Sequence, residues 1–394
     1  MNVRKVLSAL LTSALLCIIS VSADAQARVG SIIGDQKFTA EIRPAWNMPS
    51  NGYYNGHNST GKVISGCSSV HCKYSFMFSP ESRLGKLYPT AYQGIGLGAY
   101  TFFSHYETGT PIAVYLFQGA RLFDLTPSLS LDYEWNLGLS AGWKRNEAVG
   151  SSCNILINVG LPFTWKSGTD WEFHVTPDYT HFSNGDTTFP NGGANTFGCR
   201  LGVSRNFGYT ERKTPGKALI GAEEWLKDKK FEERCSYDIT LYGGWRADRI
   251  IYGYQFQIID RRFPLGGMTF NPLYKLNRYF SIGPSVDIMF DRSADIIPIG
   301  TEDKRELTGY NLPDVWKQTA LGLSARGEIT MSFYTVNIGI GYNAFAGGND
   351  LKGLYSTYNL KAFVSEKTFI NIGYRLSALQ FTHNLMLGFG FKLN

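Results

Sequence analysis

Beyond its first 27 residues the chain has no apolar run approaching the roughly 18 residues that a membrane-crossing helix requires, which excludes a helical membrane protein. Charge is also scarce: Asp, Glu, Lys and Arg make up 18% of the 394 residues, and the formal net charge of +6 is spread along the chain. A balance so small and so dispersed offers no basic patch to a nucleic acid. Cysteine is sparse as well, with 6 in the chain and five beyond the leader. Cys67 and Cys72, in "GCSSVHCK", are spaced to close a small disulfide loop in an oxidising compartment, while Cys153, Cys199 and Cys235 leave an odd thiol.

The chain opens with Arg4 and Lys5, an apolar run from Val6 to Val21, and then small residues. That order describes a secretory signal over 1–25, with cleavage after Ala25 or Ala27. Leu16 stands before Cys17 where lipoprotein processing needs a small residue, so lipidation is not expected. The exported remainder is rich in what the leader lacks: 43 Gly, 23 Tyr, 26 Phe and 8 Trp in the whole chain. An aromatic-rich, Gly-rich, exported chain has the profile of an outer-membrane barrel, with an apolar lipid face and aromatic girdles.

Period-two alternation supports that profile. Over 128–144 the odd positions Leu129, Leu131, Tyr133, Trp135, Leu137, Leu139, Ala141 and Trp143 are apolar, opposite Ser, Asp, Glu, Asn, Gly and Lys. The same pattern runs through 152–165 and through "FTHNLMLGFGFKLN" at the C-terminus, and again near 281–290, 333–343 and 354–376. These stretches suit the roughly 9 to 11 residues of a membrane strand better than the roughly 5 or 6 of an ordinary one. The G-x-G-x-G in "YQGIGLGAY" at 92–100 is the small-residue face of such a strand, since no helix follows it as a phosphate loop demands. The fold class predicted is all-β, an antiparallel transmembrane β-barrel of the outer membrane. A single barrel of about 14–16 strands is favoured over two smaller ones. Its parts are strands over 26–207, a charged linker at 208–234 and further strands over 235–394, with loops 47–70 and 291–315 on the extracellular side. The sequon at Asn58 carries little weight in such a protein.

In "WEFHVTPDYTHFSN" at 171–184, Trp171, Phe173, Val175, Pro177 and Tyr179 share one face, and Glu172, His174, Thr176, Asp178 and Thr180 the other. His181 and Ser183 therefore fall in the apolar, lipid-facing register. Extrapolating back from Phe197, Cys199 and Leu201 puts Asn195 on that face too. Polar groups facing lipid carry a desolvation cost unless they lie near the interface, which argues for a function. His383 falls in the lipid register of the last strand, and His174 on the lumen side.

The stretch "HFSNGDTTFPNGGAN" resembles the signature of the outer-membrane lipid A 3-O-deacylases of the PagL type: His-aromatic-Ser-Asn, then Pro-Asn-x-Gly, then a glutamate on the next strand. The resemblance implies a barrel with a hydrolase site on its outward face, Ser183 as nucleophile and His181 as general base. Asn184 and Asn191 match the motif asparagines associated with the oxyanion hole or its shape. Asn195 falls where the family has its glutamate, a neutral acceptor in place of a charge; Asp178 and Asp186 are weaker candidates for that part. A groove of Trp171, Phe173, Phe197 and Leu201 would align an acyl chain. Lipid A of lipopolysaccharide in the outer leaflet is the implied partner and ester hydrolysis the implied reaction, with no metal or cofactor required and no nucleic acid involved. The competing expectations are a pore or transport barrel with a remnant motif, and a surface interaction protein working through its long loops.

Overall fold

The computed structural model describes residues 33–207, 234–252, 255–301, 306–379 and 381–393. The predicted leader, and the predicted linker apart from Arg234, lie outside these residues.

The first unit is built from β1 (Ile33–Met48), β2 (Gly66–Phe78), β3 (Tyr92–Thr101), β4 (Gly109–Asp124), β5 (Leu129–Trp143), β6 (Cys153–Gly160), β7 (Phe163–Ser167), β8 (Trp171–Ser183) and β9 (Ala194–Phe207). Each strand runs antiparallel to its ladder neighbours. β6 and β7 form one broken stave, interrupted at Pro162, and both pieces lie between β5 and β8. Proline has no N–H for the ladder, which accounts for the break. β9 returns to β1, from Gln36 opposite Phe207 to Met48 opposite Asn195, and the ring closes.

The second unit holds β10 (Cys235–Tyr252), β11 (Gln255–Lys275), β12 (Phe280–Asp291), the small hairpin β13 (Ile297–Thr301) and β14 (Glu306–Asn311), then β15 (Thr319–Met331), β16 (Tyr334–Ala346), β17 (Gly353–Phe363), β18 (Thr368–Ser377) and β19 (Phe381–Lys392). Eight of them, without β13 and β14, form a closed barrel in which β10 meets β19. The antiparallel membrane-barrel class stands, but the single barrel of about 14–16 strands does not. No ladder among the described residues joins β9 to β10, because each is already paired on both sides.

The reason for a membrane barrel is visible in which face is apolar. Phe38, Ile42, Trp46, Val70, Leu97, Ile112, Leu139 and Phe197 point outward and are each about half exposed, whereas Glu41, Arg43, Lys73, Glu134, Asp178 and Arg200 are buried inside. An apolar belt this wide around a polar interior suits hydrocarbon and not water. These six charges balance as three cations and three anions. Arg43 Nη2 lies 2.6 Å from Asp178 Oδ1, Arg200 Nε 2.8 Å from Asp178 Oδ2, Arg200 Nη1 2.6 Å from Glu134 Oε1, and Lys73 Nζ 2.7 Å from the same Glu134 oxygen. Pairing of this kind is what makes a buried charge tolerable, and it fills the lumen where an open channel would need water.

In the first unit loops 49–65, 102–108, 144–152 and 184–193 gather at one end, and the short turns 125–128 and 168–170 at the other, together with the 79–91 connection, which folds into a short helix over Arg83–Leu87. In barrels of this type long loops lie outside the cell and short turns in the periplasm. The predicted irregular loop at 291–315 instead carries the β13–β14 hairpin.

Two further expectations change. Cys67 and Cys72 are both on β2, five residues apart, the first buried and the second exposed on the opposite face. At a rise of about 3.3 Å per residue they stand too far apart to be bridged. His383 is buried inside the second barrel, where its Nδ1 lies 2.8 Å from Arg246 Nη1. A register irregularity between Arg375 and Leu376, where β18 faces β19, puts residues 383 and 384 out of simple alternation, so the lipid-facing expectation fails. His174 does face the lumen, within 2.6 Å of Ser204 Oγ.

Candidate active site

Phe182 sets the geometry. Its side chain is fully buried among Tyr100 and Trp143, with ring centroids 5.1 and 5.0 Å away. Neighbours of an inward residue on a strand must point outward, so anchoring Phe182 fixes His181 and Ser183 on the barrel's exterior. Both sit at the end of β8 nearest the long loops.

His181 lies directly across the ladder from Asn195 on β9. Its Nδ1 is 2.7 Å from Asn195 Oδ1, and Nδ1–H donates to that oxygen. The Tyr179 hydroxyl donates to the same oxygen at 2.7 Å, and Asn195 Nδ2 donates to Ser50 Oγ at 3.0 Å. A carboxamide held by three partners has its oxygen fixed toward the imidazole. That selects the tautomer whose Nε2 carries the lone pair.

Gly193 completes the arrangement. Its φ is +64°, and a methyl group there would lie 2.7 Å from the Phe182 carbonyl oxygen, 3.2 Å from His181 Cε1 and 3.7 Å from Ser183 Cβ. Glycine therefore supplies the left-handed turn and leaves the space beside the imidazole and hydroxyl open. The turn is held from the first barrel: the N–H groups of Gly192 and Gly193 both reach the Ala148 carbonyl at 2.8 and 3.2 Å, and Gly150 N–H donates to the Pro190 carbonyl at 2.8 Å.

The other expected residues fall into place unevenly. Asn184 N–H donates to Asn191 Oδ1 at 2.9 Å, and Asn184 Nδ2 to the Thr188 carbonyl at 2.8 Å. Asn191 Nδ2 donates to Asp186 Oδ1 at 3.0 Å. These two asparagines thus brace the 184–191 loop, and Asp186 belongs to that brace. Asp178 is committed to Arg43 and Arg200 in the lumen, leaving Asn195 as the group on His181.

Phe197 is opposite Tyr179, two ladder pairs along from His181 and Asn195 and the next pair on the same face, and Leu201 is opposite Val175. Trp171 and Phe173 share their face but stand ten and eight residues from His181 along β8, roughly 33 and 26 Å at the usual strand rise. They belong to the opposite end of the barrel, so the predicted groove shortens to Phe197 and Leu201, joined by Tyr179 and Val175. Tyr179 and Ser50 were not singled out from sequence, and Gly193 entered only as the glycine of Pro-Asn-x-Gly. Tyr179 shares the odd parity of His181 and could have been found that way.

Fold and site together define an outer-membrane β-barrel protein with a hydroxyl, an imidazole and a carboxamide gathered on its exterior at the long-loop end. Residues 36–204 match the model of "Lipid A 3-O-deacylase (PagL)", and residues 235–394 that of "Acyloxyacyl hydrolase, C-terminal domain". The chain belongs to this lipid A 3-O-deacylase family. No curated protein matches it in sequence. Among solved structures it is similar to the translocator domain of autotransporter NalP from Neisseria meningitidis, at 10% identity and a TM-score of 0.19 over 95% of this chain and 96% of that one. It is also similar to Omp33 of Acinetobacter baumannii, at 5% identity and a TM-score of 0.17 over 92% and 98%. Scores this low carry no argument about function.

Proposed function

We propose that the protein is an outer-membrane esterase that removes a fatty acyl chain from lipid A by a serine–histidine mechanism. The observation that carries this reading is the 2.7 Å contact of Asn195 Oδ1 with His181 Nδ1, on the same outward face as Ser183. In the reaction His181 Nε2 takes the Ser183 proton as Oγ bonds to the ester carbonyl carbon. The tetrahedral intermediate collapses, the C–O bond breaks, and the imidazolium returns the proton to the departing lipid hydroxyl. Water, deprotonated by the same imidazole, then releases the fatty acid from Ser183. Donors in the braced loop would face the oxyanion. An exterior nucleophile suits this substrate, because acyl chains alongside Phe197 and Leu201 need not leave the bilayer.

The leader over 1–25 would deliver the chain to the outer membrane, with lipopolysaccharide as its partner there. Mass spectrometry of lipid A from cells with and without the protein tests the reading. The expected result is a species lighter by one fatty acyl chain only when the protein is present, and an identical lipid A profile would reject it.

Asn195 orients the imidazole but adds no charge to stabilise the imidazolium. Asn195→Glu is therefore expected to raise kcat by about tenfold, and Asn195→Ala to lower it by about 10²-fold, the scale of a general-base contribution. Fatty-acid release by purified protein in lipopolysaccharide micelles measures both. Full activity in Asn195→Ala would remove Asn195 from the mechanism.

A further inference from the structure

The loop that follows Ser183 is held from two sides. Its second half is tied to the first barrel through Ala148 and Gly150. Its first half meets the second barrel: Ala247 N–H donates to the Asp186 carbonyl at 2.9 Å, Arg262 Nη2 donates to Thr188 Oγ1 at 3.1 Å, and Gly185 faces Tyr374 and Leu385.

The local structure of the second barrel explains why this end can receive a loop. β10 pairs with β19 only as far as Gly243 opposite Leu387. Its register against β11 then slips between Ala247 and Asp248. Past Gly243 the β10 edge leaves β19, so backbone donors on that edge lie outside the ladder, while the slip itself places the extra residues 260 and 261 on β11. Ala247 N–H is one such donor, and it is spent on Asp186. The two barrels also meet at their opposite ends, where Trp135 packs edge-on to Tyr334 at 5.0 Å and Tyr88 against Tyr279 at 5.8 Å. The second barrel is thus braced at the short-turn end while it grips the loop at the other.

We propose that the C-terminal barrel is a positioning clamp for the nucleophile: through Ala247 N–H and the Arg262 guanidinium it fixes residues 185–188, and with them the direction of Ser183. This rests on the esterase reading above. Because Asn184, Thr187, Thr188 and Asn191 are bonded to one another, the loop moves as one piece, and a pull at 186 or 188 reaches Ser183 three or five residues back. Displacement of a reacting group by about 1 Å costs on the order of 10²-fold in rate. A partial release should therefore show in kcat and not in lipid binding.

The test uses the full-length protein in detergent with lipopolysaccharide. Ala247→Pro removes the donor, Arg262→Ala and Thr188→Val each remove one partner of the second bond, and Arg262→Lys keeps a single donor able to reach Thr188. The expected result is kcat lowered about three- to tenfold in Arg262→Ala and Thr188→Val, no further loss when the two are combined, and unchanged KM, since both delete one contact. Arg262→Lys recovers most of the rate, and Ala247→Pro lowers kcat further. Heat-modifiable migration on gels reports whether each barrel is folded. Hydrogen exchange of the 184–188 amides, faster in the Ala247→Pro and Arg262→Ala variants than in the parent, reads the clamp without reference to activity. Unchanged exchange in the folded Ala247→Pro/Arg262→Ala double variant overturns the clamp, as does unchanged kcat in an active parent background. A parent that releases no fatty acid while its variants still loosen the loop would reject the esterase reading and keep the clamp.

Discussion

Ser183→Ala is expected to leave lipid A with its full set of acyl chains, with fatty-acid release lower by on the order of 10⁶-fold, the cost of removing a covalent nucleophile. The barrel should be untouched by it. Ser183 is half-buried on the exterior at the end of β8, and its side chain is not among those that hold the lumen together. The substitution removes one oxygen and leaves the ladder position opposite Ile155 as it was. Heat-modifiable migration and membrane insertion should match the parent, which separates lost chemistry from lost fold. His181→Ala should follow it to within about tenfold, because nucleophile and base act as a unit and their losses do not add. A Ser183→Ala protein that still trims lipid A would show that another group attacks the ester.

Gly193→Ala carries the second large effect, through geometry alone. A residue with a side chain at φ +64° costs about 1–2 kcal/mol, and here the added carbon also lies 2.7 Å from a backbone oxygen, a separation that carbon atoms do not tolerate. Either the turn or the end of β8 must move. Either movement disturbs His181, whose Cε1 lies 3.2 Å from the new atom, and Ser183, whose Cβ lies 3.7 Å from it. The expectation is activity lower by about 10²-fold in a barrel that still inserts and closes. Gly192→Ala is the control. That position is exposed, its φ is not positive, and the atom a methyl group meets first is the end of the Asn51 side chain. It should keep most of the activity, and equal losses in the two variants would contradict the role given to Gly193.

How much of this was legible in the sequence depends on what alternation can carry. Parity states which face a side chain takes, and in β8 it placed every residue from Trp171 to Ser183 correctly, because Phe182 and Asp178 inside and Phe173 and Tyr179 outside obey one unbroken ladder. Parity fails wherever a strand is irregular. Trp143 belongs by count to the lipid face but is buried beside Phe182, since Gly142 at φ +101° turns the end of β5 inward. His383 fails for the same reason. Parity also says nothing of height, so Trp171 and Phe173 looked like groove residues although they stand at the far end of the strand. Nor does it name neighbours: the closure of β9 on β1 and of β10 on β19, and hence two barrels, depends on ladder partners that no single strand reveals. Ser50 reaches Asn195 from a loop 145 positions away in the chain. Only the closed ring brings those two residues together.

The most direct test of the account is a lipophilic fluorophosphonate applied to the protein in its membrane, with the adduct located by peptide mass spectrometry. Such a reagent reports an activated serine and enters from the lipid side, so it asks whether an outward Ser183 is made nucleophilic by His181. The account predicts a single adduct on Ser183, absent in Ser183→Ala and strongly reduced in His181→Ala. An adduct on a different residue, or labelling of Ser183 that is indifferent to His181, would contradict it.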